Sequence, residues 1–254
     1  MKRIMGKQII STAVLLLLGL FAFSCNKVDL NFLHSNVKEI VIHLDESYDF
    51  TTSNQYGCSI ALFGGSVAQL AYLCHDYWRE VLNLELEVYA KASAGFTIEG
   101  NSILDQVERA CSGETKYDMY LFWCSTNDYT CQAEVESHRH DYPYESQNDG
   151  IRACFNHIWE CNPRAKIAFL SSMKCFDENG YQMREDNSVF TMYEYVLGQI
   201  GVCNFYSIPI FNQFSYYVFS IDNYQQFFRD YVHPNEVGYD LIKHSQALFI
   251  AQCF

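Results

Sequence analysis

Short apolar runs alternate with helix-length amphipathic stretches from residue 58 onward, and no other feature of the chain constrains its fold as strongly. The runs "CSIALF" (58–63), "YDMYLFWCS" (117–125), "AKIAFLSS" (165–172) and "VCNFYSIP" (202–209), and the alternating "LELEVYAKA" (84–92), read as strands. The segments "VAQLAYLCHDYWREVLN" (67–83), "SILDQVERACS" (102–112), "QNDGIRACFNHIWECN" (147–162) and "VFTMYEYVLGQIG" (189–201) separate them and read as helices, the last ending at Gly201. "NEVGYDLIKHSQALFIAQ" (235–252) is the closing helix. A helix between two strands supplies the long crossover that parallel pairing needs. Right-handed crossovers cover both faces of such a sheet, so the expected fold is α/β, a three-layer α/β/α sandwich of about five strands. In such sheets sites form at the carboxyl ends of the strands.

The first residues have a different logic. "MKRIMGKQ" is a basic leader and "IISTAVLLLLGLFAF" an apolar core too short for a typical spanning helix. Ser24 and Cys25 follow. "AFSC" resembles the bacterial lipoprotein box, in which the cysteine is lipidated and becomes the new N-terminus. The expected division is a signal peptide over 1–24, a lipidated tether and accessory segment over 25–55, and one folded domain over 56–254. "VKEIVIHLD" (37–45) reads as an accessory strand. The resemblance implies a cell-envelope lipoprotein, held to a membrane through Cys25 and facing a non-cytoplasmic compartment.

With 254 residues and 49% hydrophobic content, the chain can fill one full core. Its net charge of −13 repels phosphate backbones and disfavours a nucleic-acid partner. Ten of the eleven cysteines remain after Cys25. An even number permits disulfides without fixing their pairing. Several, such as Cys58, Cys124 and Cys253, sit within or beside apolar runs and read as small buried hydrophobes. No C-x-x-C pair and no Cys/His spacing of the zinc type occurs.

The chemistry concentrates where strands turn into loops. "IALFGGSVAQL" places Ser66 at the end of the first strand, behind the flexible pair Gly64 and Gly65. A serine there is either a helix N-cap or a hydroxyl projected from the top of the sheet. A nucleophilic serine needs a base, and the base an orienting carboxylate. "RDYVHPNEVGY" supplies Asp230 and His233 ahead of the last helix, with Pro234 at its expected first position. "KASAGFT" places Gly95 after the second strand, and "FWCSTNDY" places Asn127 after the third. A backbone N–H and a side-chain amide are donors of the kind an oxyanion hole uses.

These four blocks, in order along residues 58 to 250, resemble the SGNH hydrolases, also called GDSL-type esterases and lipases. "DYVHPNEVGY" is the most specific of them and "STND" the next. The resemblance implies a flavodoxin-like sheet, with Ser66 as nucleophile, His233 as general base and then acid, and Asp230 as its partner. It also implies an oxyanion hole of Ser66, Gly95 and Asn127, with no metal and no cofactor. Two positions depart from the family pattern: Gly65 stands where Asp is usual, and Ser125 where Gly is usual. The implied substrate is an ester, with short acyl groups on a saccharide set against lipid acyl chains and against a non-catalytic binding role. The segment "YTCQAEVESHRHDYPYESQNDG" (129–150) borders the expected pocket. Its His138, His140 and Asp141 read as a solvated polar loop rather than a metal site.

Overall fold

The computed structural model describes residues 47–137, 142–176 and 190–254. The signal peptide, Cys25, the 37–45 segment, and His138, His140 and Asp141 lie outside the described residues. Five strands form one sheet: β1 (Ser59–Gly64), β2 (Glu85–Val88), β3 (Met119–Trp123), β4 (Lys166–Leu170) and β5 (Ile210–Phe211). Their order is β2-β1-β3-β4-β5 and every pairing is parallel. The order reverses between β1 and β3, so their carboxyl ends border the crevice where α/β sheets bind ligands.

The helices are α1 (Ser66–Gln69), α2 (Tyr72–Leu82), α3 (Ile103–Cys111), α4 (Asn127–Thr130), α5 (Gln147–Cys161), α6 (Met192–Phe205), α7 (Gln213–Tyr216), α8 (Tyr224–Phe227) and α9 (Glu236–Gln252). Strand alternation divides the core between them. Ala61, Phe63, Tyr120, Phe122, Ile167 and Phe169 face the α3, α5 and α6 layer. Ile60, Leu62, Met119, Leu121, Trp123 and Leu170 face α2 and α9. Both faces of β1, β3 and β4 are therefore buried, which is why these strands read as nearly continuous apolar runs, whereas the edge strand β2 alternates.

Three expectations are corrected. The helix expected over 67–83 is two helices, because Ala71 leaves helical geometry at ψ 47°. The break lets α1 bury Val67 and Ala68 while α2 turns to lay Cys74, Trp78 and Leu82 on the sheet. The fifth strand is not at 202–209. Helix α6 continues through Gly201 to Phe205, since Val202 and Cys203 are buried in line with Val196 and Ile200. Here helical packing overrides β propensity. Finally, α9 starts at Glu236 with Asn235 as its cap, its side chain accepting the Gly238 N–H at 3.0 Å, so Pro234 precedes the helix.

Candidate active site

Ser66 is not the cap of its helix. Gly65 is, and it offers no side-chain bond, so Ser66 is the first residue of α1 with its hydroxyl available to another partner. The strand end beneath it is fixed from both sides. A Cβ at Gly64 would run into the Trp123 carbonyl oxygen of β3, which restricts the position to glycine. Across the chain, the buried Gln106 of α3 accepts the Gly64 N–H at 2.9 Å and donates to the Gly64 carbonyl at 2.9 Å. This two-way amide pairing locks the residue from which the Ser66 turn departs.

The Ser66 hydroxyl meets His233, whose Nε2 lies 2.7 Å from Ser66 Oγ. The other ring nitrogen, Nδ1, is 2.9 Å from Asp230 Oδ2 and 3.1 Å from Oδ1. Asp230 Oδ1 also accepts the backbone N–H groups of Val232 and His233, at 2.8 and 2.7 Å. Burial alone would raise the Asp230 carboxyl, but these two N–H groups, then the His233 ring, outweigh it and hold the group below the usual carboxylate range. The loop is closed by a bridge between Phe228 and Pro234 and by the Arg229 N–H donating to the His233 carbonyl at 3.0 Å. It is joined to the serine side by α9, where the buried Tyr239 hydroxyl donates to the Val67 carbonyl at 2.9 Å.

Asn127 and Gly95 meet beside this pair, around the Ala94 carbonyl. That oxygen accepts the Asn127 Nδ2–H at 2.7 Å and the Ser125 Oγ–H at 2.8 Å. An amide nitrogen has two donors, so one Asn127 N–H remains for another acceptor. The nitrogen lies 3.1 Å from where a Cβ would stand at Gly65, against the Ser66 turn. Gly95 is bridged to Ser102 and packs on the Asp128 carboxylate, 2.8 Å from its Cβ position to Asp128 Oδ1. Asp128 is buried and accepts the Phe96 N–H, the Thr97 N–H and the Thr97 hydroxyl at 2.8–3.0 Å. The second residue of the Asn-Asp pair thus clamps the Gly95 loop to α4.

The five residues singled out in the sequence therefore gather at the carboxyl ends of β1, β2 and β3. Gln106, Ala94, Asp128 and Tyr239 were not singled out. Gln106 and Tyr239 carry no local signal, since their partners are backbone groups 42 and 172 residues away. Asp128 had one, its place beside Asn127, but Asn-Asp is also ordinary turn chemistry.

No family model and no curated protein matches the sequence. Solved structures do match in shape. A possible lipase from Chitinophaga pinensis superposes with a TM-score of 0.59 at 16% identity, covering 76% of this chain and 97% of its own. A GDSL-like lipase from Bacteroides thetaiotaomicron gives 0.54 at 14% identity, over 77% and 89% of the two chains. A member of the lipolytic G-D-S-L family from Veillonella parvula gives 0.52 at 14% identity, over 74% and 94%. Together with the parallel five-stranded sheet, these likenesses show that the chain has the fold of the SGNH, or GDSL-type, hydrolases.

Proposed function

We propose that the protein is a serine ester hydrolase acting through an acyl-enzyme. The observation that carries this is the continuous hydrogen-bonded line Ser66 Oγ, His233 Nε2, His233 Nδ1, Asp230. His233 takes the Ser66 proton as Oγ attacks the ester carbonyl, and returns it to the departing alcohol. Water, deprotonated by the same imidazole, then releases the acid. Asp230 fixes the ring orientation and stabilises the imidazolium. The free Asn127 N–H, with the Ser66 and Gly95 N–H groups, receives the oxyanion.

The substrate class we favour is a short acyl group, such as acetyl, on a carbohydrate; longer lipid acyl chains are the competing reading. The test is a series of p-nitrophenyl esters of rising chain length with the full chain and Ser66→Ala. Hydrolysis that vanishes in Ser66→Ala supports the reading, and equal rates in both proteins refute it. A fluorophosphonate probe separates a catalyst from a non-catalytic binding protein on the same fold, because it labels an activated serine only. We further propose lipidation of Cys25, in line with the "AFSC" box. Two or three acyl chains at about 0.8 kcal/mol per buried CH₂ would hold the protein to a bilayer. Labelled palmitate should enter the wild type and not Cys25→Ser.

A further inference from the structure

At the sheet edge opposite Ser66, three metal-ligating side chains converge. Cys111 ends α3, while His157 and Cys161 stand one turn apart at the end of α5. The two thiol sulfurs and an imidazole nitrogen lie within 4.8 Å of one another. Among the described residues this is the only group of its kind. Zinc–sulfur bonds of ~2.3 Å and zinc–nitrogen bonds of ~2.0 Å in tetrahedral geometry place the ligand atoms about 3.5–3.8 Å apart, so closing on an ion needs a shift of about an ångström. We propose that Cys111, His157 and Cys161 form a binding site for a zinc-class divalent cation that clasps α3 to α5.

The chemistry of the three donors fits such an ion: two thiolates neutralise a divalent cation, so its burial leaves no net charge. His157 and Cys161 are partly exposed, which gives the ion a path in and leaves a fourth position for water.

The site's place in the fold assigns its task. Cys111 and Cys161 precede β3 and β4, whereas Ser66, Asn127 and His233 follow strands or gather at their far ends. A cation here cannot touch the reacting atoms and acts as a staple between two helices. This inference does not depend on the ester-hydrolase reading. Sequence spacing hides the site, because Cys111 and His157 lie 46 residues apart on separate helices.

The experiment uses the reduced full chain, titrated with cobalt(II) as a spectroscopic stand-in for zinc and then with zinc itself. One equivalent should produce thiolate-to-cobalt charge-transfer absorption, which zinc bleaches. His157→Ala and Cys161→Ser should each weaken binding at least tenfold. Zinc should raise the melting temperature of the wild type and leave that of Cys161→Ser unchanged. No charge-transfer band in the folded wild type would overturn the proposal, as would a band that survives both substitutions. A Cys111–Cys161 disulfide in protein recovered from the non-cytoplasmic side of the producing cell would overturn it too, since it consumes both thiolates.

Discussion

Gly65 and Ser125 share one space. A Cβ built on Gly65 would lie 2.5 Å from the Cβ of Ser125, far inside contact distance. These are the two positions at which the chain departs from the SGNH pattern, one by losing a side chain and one by gaining it. The structure makes them a single exchange. The Ser125 side chain fills the room that a residue at 65 would need, and its hydroxyl bonds the Ala94 carbonyl at 2.8 Å and accepts the Asn127 N–H at 3.2 Å.

The exchange predicts strong coupling in a double-mutant cycle. Gly65→Asp alone should overpack the turn and cost about 1–3 kcal/mol, with loss of ester hydrolysis. Introduced together with Ser125→Gly it should be tolerated, giving a coupling of about 1–3 kcal/mol in chemical denaturation. Additive effects of the two substitutions would show that they do not compete for the same space.

The hydrogen-bonded line at Ser66 predicts a graded loss. Ser66→Ala and His233→Ala should each lower kcat/KM for a short p-nitrophenyl ester by about 10³-fold or more. Asp230→Asn should cost less, about 10²-fold, because the half-exposed carboxylate is partly screened by water. Steady-state kinetics on the three variants checks the order. Near-equal effects of Ser66→Ala and Asp230→Asn on kcat/KM would contradict it.

Asp128 should prove a structural residue despite its place beside Asn127. Asp128→Ala strands the Phe96 and Thr97 N–H groups and should cost about 2–4 kcal/mol in urea unfolding. Its kinetic effect should follow from a misplaced Gly95 loop, so kcat should fall while fluorophosphonate labelling of Ser66 slows without vanishing.

Stability should fall on mild acidification, and His75 should be a main cause. It is buried on α2 with Nε2 unpartnered among the described residues. Burial, then the charge of Arg79, lower it to about 4. The unfolded chain therefore binds the proton first, between about pH 6.5 and the folded value, and stability drops as pH falls through that window. The expected loss is about 2 kcal/mol at pH 5 relative to neutral pH. His75→Leu should remove most of this slope in urea titrations at the two pH values. Asp230 adds to the trend only at lower pH, since its depressed carboxyl contributes stability that is lost as pH falls through its folded value.

What the sequence revealed and what it hid follow one physical rule. Strands β1, β3 and β4 were legible because burial on both faces makes them short unbroken apolar runs, and the edge strand β2 because its residues alternate. Ser66, Asp230 and His233 stood out because "GGS" and "DYVHP" fall where a strand ends and where a helix begins, and the structure brings the three side chains together. The β5 strand was misplaced because two residues suffice for it, Ile210 and Phe211, while the β-favouring residues before it are absorbed by α6. Whether Ser66 caps its helix depends on backbone angles at Gly65, which no residue type specifies. The Gly65–Ser125 exchange was visible as two departures, but their contact exists only once β1 and β3 are side by side.

The bond from Tyr239 to Val67 has a consequence in time as well as in space. Synthesis delivers the Ser66 turn, with β1, well before α9. Until α9 docks and brings the 228–234 loop with it, Ser66 Oγ lacks its His233 partner. On the proposed function, a growing chain would therefore carry an idle hydroxyl, switched on only when that later helix is in place.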